Sequence, residues 1–351
     1  MAQGAQCGKG SRVSAVVRAR APLRLSFSGG GTDVSPYPEE RGGLVLSATI
    51  DKFCTATLRP RRDARVSLHS ADLQQTAKYG HLRAMRLDGN LDLVKAAVKA
   101  LKPRTGADVT VQSDAPPGSG LGASSTLVVA LLAALREWLN RPLTDYELAE
   151  LAYRIERKDL AIAGGRQDQY AATFGGFNFI EFHKDATVVN PLRIRDDVRL
   201  ELEYRMLLCY VGRTRFSGHI IERQTAAYQS GREATVRALD GLKAITHQMK
   251  NALLVGKIEE FGALLHEAWQ HKRDLEEHVS TAEVDDLYEK ARKAGALGGK
   301  MPGAGGGGYF FFVCGARGKE KVAEVARKWG AELVPVSFCP SGVTAWQSSA
   351  R

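Results

Sequence analysis

The chain has 351 residues, 44% of them hydrophobic and 25% charged, which excludes a disordered protein and leaves room for two domains that each bury a core. Its 49 Lys and Arg against 39 Asp and Glu leave a formal charge of +10, a surplus that favours anionic partners without naming the anion. No apolar run approaches the ~18 residues that span a bilayer, since Leu127–Leu135 is cut off by Arg136 and Glu137, and Met1–Arg12 has no apolar stretch of the signal-peptide kind.

Residues 1–12 read as a flexible tail. From Ser14 to His69, short β-rich runs at Val16–Ala21, Leu23–Ser28, Leu44–Ile50, Phe53–Leu58 and Val66–His69 predict a mostly antiparallel sheet. Asn90–Leu101 places Leu91, Val94, Ala97, Val98 and Leu101 on one helical face, and Lys102-Pro103 ends it. A strand at Asp108–Gln112 precedes Ser124–Leu139, an apolar run too long for a strand and therefore a buried helix. Thr144 and Glu147 form a capping box that opens a helix over Asp145–Arg157. A short helix and a strand at Phe177–Phe182 follow.

The second half opens near His183–Pro191 with a strand-like Val198–Val211. Helices are expected over Ser217–Leu254, with one interruption, and over Ile258–Leu275. Ser280 and Glu283 predict a capping box for Ala282–Ala294. Strand Tyr309–Cys314, helix Lys319–Trp329 and strands Leu333–Phe338 and Val343–Gln347 complete a β-α-β ending typical of an α+β sandwich. The five cysteines are odd in number and mostly set in apolar runs, which points to reduced core residues and a cytoplasmic protein.

Glycine is the compositional outlier: 36 residues, about a tenth of the chain against a norm of roughly 7%, and clustered. In Pro116–Ser125 (Pro-Pro-Gly-Ser-Gly-Leu-Gly-Ala-Ser-Ser), between a strand and a long helix, glycines let the backbone approach a ligand while the helix's first amides form an anion site. The cluster lacks the Gly-Lys-Ser/Thr of the Walker loop and the third spacing of a dinucleotide fingerprint. Ser124 and Ser125 stand where hydroxyls can touch phosphate or Mg²⁺.

Three further clusters accompany it. Gly29–Gly31 lead to Thr32-Asp33, a carboxylate able to accept from sugar hydroxyls or to close an Asx turn. Gly164-Gly165 lead to Arg166-Gln167-Asp168, where the Asp could orient and deprotonate an attacking hydroxyl or cap a helix. Gly303 and Gly305–Gly308 make a loop with almost no side chains, which must lie against a ligand or another backbone. Two other readings carry little weight. Arg59–Arg62 with Arg65 lacks the aromatics of a single-strand nucleic-acid binder, and His266-Glu267 has Gln270 where a zinc protease needs His, with His271 ~100° further round the helix.

In this order and spacing, the clusters resemble the three motifs of the GHMP kinase superfamily, over nearly the whole chain after about Val13. The resemblance implies an N-terminal ribosomal-protein-S5-domain-2-like domain (13–187) that binds nucleotide and a ferredoxin-like C-terminal domain (188–351), with ATP and Mg²⁺ in the cleft between them. It implies a nucleotide site at Pro117, Gly118, Ser119, Gly120, Leu121, Gly122, Ala123, Ser124 and Ser125. Metal ligands would be Ser124 and Glu156, with Asp168 as catalytic base and Arg24 at the reacting centre. Substrate contacts would come from Gly30, Gly31, Thr32, Asp33, Arg166, Gln167, Gly305 and Gly306.

Ser26–Asp33, Ile50-Asp51-Lys52, Gly165–Tyr170, Gly175–Asn178, Gly212–Ser217 and His266–Trp269 with Lys272-Arg273 look like one branch, the bacterial kinases of D-glycero-D-manno-heptose 7-phosphate. Such enzymes phosphorylate the anomeric hydroxyl in GDP-heptose synthesis for surface polysaccharide. Galactokinases carry Gly-Glu-His-Thr-Asp in place of Gly29–Asp33, which argues against galactose. A sugar that already bears phosphate needs a second anion site; Arg215 is favoured over Arg213, Arg166, Lys272 and Arg273, because Gly212–Ser217 lies between a strand and a helix. The expected partners are ATP and a small sugar phosphate, with no nucleic acid and no membrane; a homodimer stays open. The alternatives are a kinase for an unphosphorylated sugar such as fucose, and a non-catalytic nucleotide or RNA binding module.

Overall fold

The computed structural model describes residues 15–212 and 217–348. In chain order the elements are β1 (Val16–Ser28), α1 (Tyr37–Arg41), β2 (Gly43–Pro60), β3 (Val66–Ser70), β4 (Gln75–Tyr79), α2 (Asp92–Leu101), β5 (Ala107–Ser113), α3 (Ala123–Leu139), α4 (Asp145–Arg154), α5 (Gln167–Phe174), β6 (Phe177–Phe182) and β7 (Thr187–Pro191). They continue with α6 (Asp196–Arg205), β8 (Met206–Tyr210), α7 (Ser217–Gln229), α8 (Glu233–Leu254), α9 (Ile258–Leu275), α10 (Ala282–Ala294), β9 (Ala296–Lys300), β10 (Tyr309–Cys314), α11 (Lys319–Trp329), β11 (Glu332–Val334) and β12 (Thr344–Ser348).

The first sheet runs β12-β1-β2-β5-β3-β4. The runs expected as separate strands join into two long ones, β1 and β2, paired antiparallel with a register shift between Pro22 and Arg24; that irregularity accommodates a proline, which cannot donate to a regular ladder. β2 is long enough to serve two partners, with β6 on Gly43–Ala48 and β5 on Cys54–Pro60. Helix α3 lies against β1 and β2. Val128 through Leu135 are all fully buried, as expected of a helix that is apolar on every side.

The second sheet, β11-β8-β10-β9, is antiparallel and backed by α10 and α11. β10 is buried on both faces. Phe312 stacks on Tyr288 and Phe310 meets Trp269 edge-on, whereas Phe311 turns the other way and meets Phe27 of β1 edge-on at 5.8 Å between ring centres. Phe27 also meets Phe261 of α9 at 5.3 Å, and Met206, Leu208, Phe311 and Val313 of the second sheet lie in the same buried cluster as β1 and β2.

The fold is the two-domain α+β arrangement that the sequence predicts. The boundary expected at 187/188 falls inside β7, whose residues pair with β6, and β12 returns to the first sheet against β1. Val198–Val211 is corrected: its first part is helix α6 and only Met206–Tyr210 is strand. The alternation Val198, Leu200, Leu202, Tyr204 mimics a half-buried strand, yet Val198 and Leu202 face inward one helical turn apart while Leu200 and Tyr204 are exposed. Asp196 and Asp197 at the start and Arg205 at the end suit the helix dipole.

The Thr144–Glu147 capping box is present in full. At α10 the cap is instead Thr281, whose hydroxyl accepts from Val284 N. Cys54, Cys209 and Cys314 are buried free thiols, pushed up to about 12 by desolvation. The basic turn after β2 is internally paired, Arg61 with Asp63 and Asp108, and Arg65 with Asp63.

Candidate active site

β5 ends at Ser113 and α3 begins at Ala123. Between them Gly118, Gly120 and Gly122 take φ values of +74°, +88° and +77°, a region that glycine enters without steric cost. No side chain caps α3 at Gly122. Among the described residues, the backbone amides from Gly120 through Ser125 find no acceptor within the chain, and Ser119 Oγ is buried without a partner. Successive unpaired donors at a helix start form an anion cradle.

The last glycine loop lies against another backbone and also reaches the cleft. Tyr309 N donates to Ser119 O at 3.0 Å, and a Cβ on Gly303 would stand 2.6 Å from Gly120 Cα. This contact clamps the cradle from the C-terminal half, and Gly303, Ala304 and Gly305 form part of the cleft wall.

Arg24, buried in β1, donates from Nε and Nη2 to Asp168 Oδ1 at 2.8 and 2.7 Å, and from Nη1 to Gly120 O at 2.6 Å. Asp168 sits in the first turn of α5, with its carboxylate against Gly122. Both N–H groups grip one oxygen, so Oδ2 is left to meet a ligand. Behind the cradle, Ser124 Oγ donates to the fully buried Glu156 at 3.2 Å, while Gln169 Nε2 donates to the other oxygen of Glu156 at 2.5 Å. A π-helical turn, Ile155–Asp159, holds Glu156, and Arg157 lies 3.9 Å from it.

Asp33 is 1% exposed and accepts from Gly31 N, Gln167 N and Gln167 Nε2 at 2.9 to 3.1 Å. These bonds join the first and third glycine clusters, so Asp33 is an anchor as well as part of the cleft wall.

The cleft is partly open to solvent and has a cavity volume of about 140 Å³. Arg24, Gly30, Gly31, Asp33, Gly118, Ser119, Gly120, Gly122, Ala123, Ser124, Gln167, Asp168 and Gly305 all line it. Other expected site residues stand outside that lining. Thr32 bonds Gly29 O and Leu44 O, Leu121 is core, and Ser125 bonds Gln169 and Arg157. Pro117 precedes the lining part of the loop, and Gly306 faces a separate hollow with Thr281 and Trp329. Arg166 is held by Glu39 at 2.6 Å and by the Tyr153 ring. Arg215 and Arg213 lie outside the described residues. Arg273 points away, to Asp285, because neighbouring helix positions diverge by about 100°.

Two buried amines stand here, one a candidate for the second anion site that was ranked below Arg215 and the other left without a role by the motifs. Lys272, in the last turn of α9, is 3% exposed and lines the cleft, and Lys300, ending β9, is 1% exposed behind it. Arg157 also lines the cleft. Lys300 opens the last glycine loop, which was the available signal for it.

A cradle of unpaired amides facing an arginine-clamped carboxylate, in a cleft between two lobes, is an arrangement that suits phosphoryl transfer. Models of known families match accordingly: GHMP kinases N terminal domain over residues 92–176 and GHMP kinases C terminal over residues 249–335. The chain is 39% identical to D-glycero-alpha-D-manno-heptose 7-phosphate kinase of Campylobacter jejuni, across 94% of this chain and 99% of that one. The solved structure of a D-glycero-D-manno-heptose 1-phosphate kinase from Bacteroides thetaiotaomicron is 35% identical, with a TM-score of 0.78 over 95% of this chain and 100% of that one. Galactokinase of Lactococcus lactis, complexed with galactose, shares the fold at 22% identity and a TM-score of 0.76, over 94% and 95% of the two chains. The chain belongs to the GHMP kinase family, and is therefore a phosphotransferase with an alcohol group as acceptor.

Proposed function

We propose that this kinase transfers the γ-phosphoryl group of ATP to the anomeric C1 hydroxyl of D-glycero-D-manno-heptose 7-phosphate, giving the 1,7-bisphosphate. The observation that carries the reading is the end-to-end 39% identity with a kinase named for that substrate. The Bacteroides neighbour is named for the 1-phosphate instead, so the acceptor carbon is the finer part of the proposal.

The chain's own groups suit such a transfer. The unpaired amides from Gly120 to Ser125 would hold phosphate oxygens, and the positive end of α3 opposes their charge. Asp168 Oδ2 would accept the hydrogen of the attacking hydroxyl while Arg24 fixes the carboxylate from its other oxygen. An anomeric hydroxyl is more acidic than other sugar hydroxyls, so a modest base suffices.

Ser124 and Glu156 supply a hydroxyl and a carboxylate side by side, the hard oxygen donors that Mg²⁺ takes. Bound there, the ion would supply charge neutralisation for the transferring phosphoryl group. Among the described residues, no helix is long and apolar enough to cross a membrane.

A coupled assay of ADP release tests this over heptose 7-phosphate, heptose 1-phosphate, mannose, fucose and galactose. The 7-phosphate should give the highest kcat/KM. A free sugar turned over as well as the 7-phosphate would overturn the acceptor, and RNA binding without turnover would favour a non-catalytic role.

A further inference from the structure

The floor of the cleft beside Gly30 carries a buried ammonium whose donors the chain leaves largely unmet. Lys272 Nζ reaches Gly30 O at 3.4 Å, one long contact for a group with three donors. The charged groups acting on it are Asp33 from the loop after β1 and Arg24 from β1, and Lys272 in turn acts on Lys300 at the end of β9. Arg24 is matched by Asp168, and Asp33 is satisfied by amide donors from Gly31 and Gln167. Two buried amines thus share the field of one carboxylate. Burying an ammonium without a partner is costly, and desolvation draws Lys272 down to about 8. An anion arriving at this point would regain the missing partner.

The amides of Gly120 to Ser125 already offer a cradle for the nucleotide phosphates, so the anion considered at Lys272 is a second one. The neighbours of Lys272 are Gly30 and Asp33, in the part of the cleft that would face the acceptor. We propose that Lys272, with Lys300 behind it, is the subsite for the phosphate that the acceptor already carries, and so sets the preference of this cleft for a sugar phosphate over a free sugar. This inference rests on the sugar-phosphate reading above.

The test compares the full-length enzyme with Lys272→Met and Lys272→Arg, measuring kcat and KM for heptose 7-phosphate and for mannose. In Lys272→Met the ratio of kcat/KM between the two acceptors should fall about 30-fold or more, mainly through KM for the phosphorylated one. Lys272→Arg should recover part of it. An equal loss with both acceptors, or an unchanged ratio, would overturn the inference.

Stabilisation by ligand provides a reading independent of turnover. Heptose 7-phosphate should raise the melting temperature of the wild type more than that of Lys272→Arg or Lys272→Met; an equal rise also overturns it. Failure of the substrate reading shows separately, as a wild type that does not prefer the phosphorylated acceptor. A preference that survives Lys272→Met sinks this inference alone.

Discussion

Arg24 places two donors on the same oxygen of Asp168, at 2.8 and 2.7 Å, and a third on Gly120 O at 2.6 Å. One guanidinium therefore sets the distance between the amide cradle and the carboxylate that faces it. Asp168→Ala should lower kcat by about 10²- to 10⁴-fold while nucleotide binding, followed by fluorescence titration, persists. A kcat close to the wild-type value would refute the base assignment.

Glu156 is fully buried and touches Ser124, so Glu156→Gln keeps the shape and removes the charge. The Mg²⁺ concentration for half-maximal rate should rise about tenfold or more. Titrating the metal at saturating substrates checks this, and an unaltered midpoint would place the ion elsewhere.

Gly308 has φ +92°, and a Cβ there would lie 2.3 Å from Ser119 O; Gly330 has φ +100° with nothing within 4 Å. Gly308→Ala should destabilise the fold by about 1–3 kcal/mol or more and raise KM for ATP. Gly330→Ala should cost about 1 kcal/mol and leave that KM alone. Thermal melts together with steady-state kinetics separate the two.

Lys272 has a folded-state pKa lowered to about 8 from 10.5 by burial. Between these values the unfolded chain holds a proton that the native chain has released, so this group's penalty is full below pH 8 and eases as pH rises toward 10.5. Without ligand, Lys272→Met should therefore exceed the wild type in stability most at neutral pH, and the gap should shrink at higher pH. Urea denaturation at pH 7 and pH 9.5 tests the sign; a gap that widens contradicts it.

The sequence showed the cradle because its chemistry needs backbone rather than side chains, and glycines at 118, 120 and 122 are the visible residue of that need. The partnership of Ser124, Glu156, Asp168 and Arg24 was reached through family resemblance. Lys272 was one of five candidate cations and could not be ranked first, and Lys300 was given no role, since a lysine's burial depends on how α9 and β9 meet β1. Arg166 misled for the converse reason: beside two cleft-lining residues, it is drawn off by Glu39 and Tyr153. Helix α6 hid behind Leu200 and Tyr204, apolar residues left in solvent that completed a false alternation.

β12 is the outer neighbour of β1, pairing Val16–Arg20 with Thr344–Ser348. During synthesis the first strand must wait for one of the last, and its edge stays open while more than three hundred residues emerge. An open strand edge invites pairing with other chains. Nascent chains that end before Thr344 thus carry an unpaired β1 edge, and the first sheet, though begun first, is completed last.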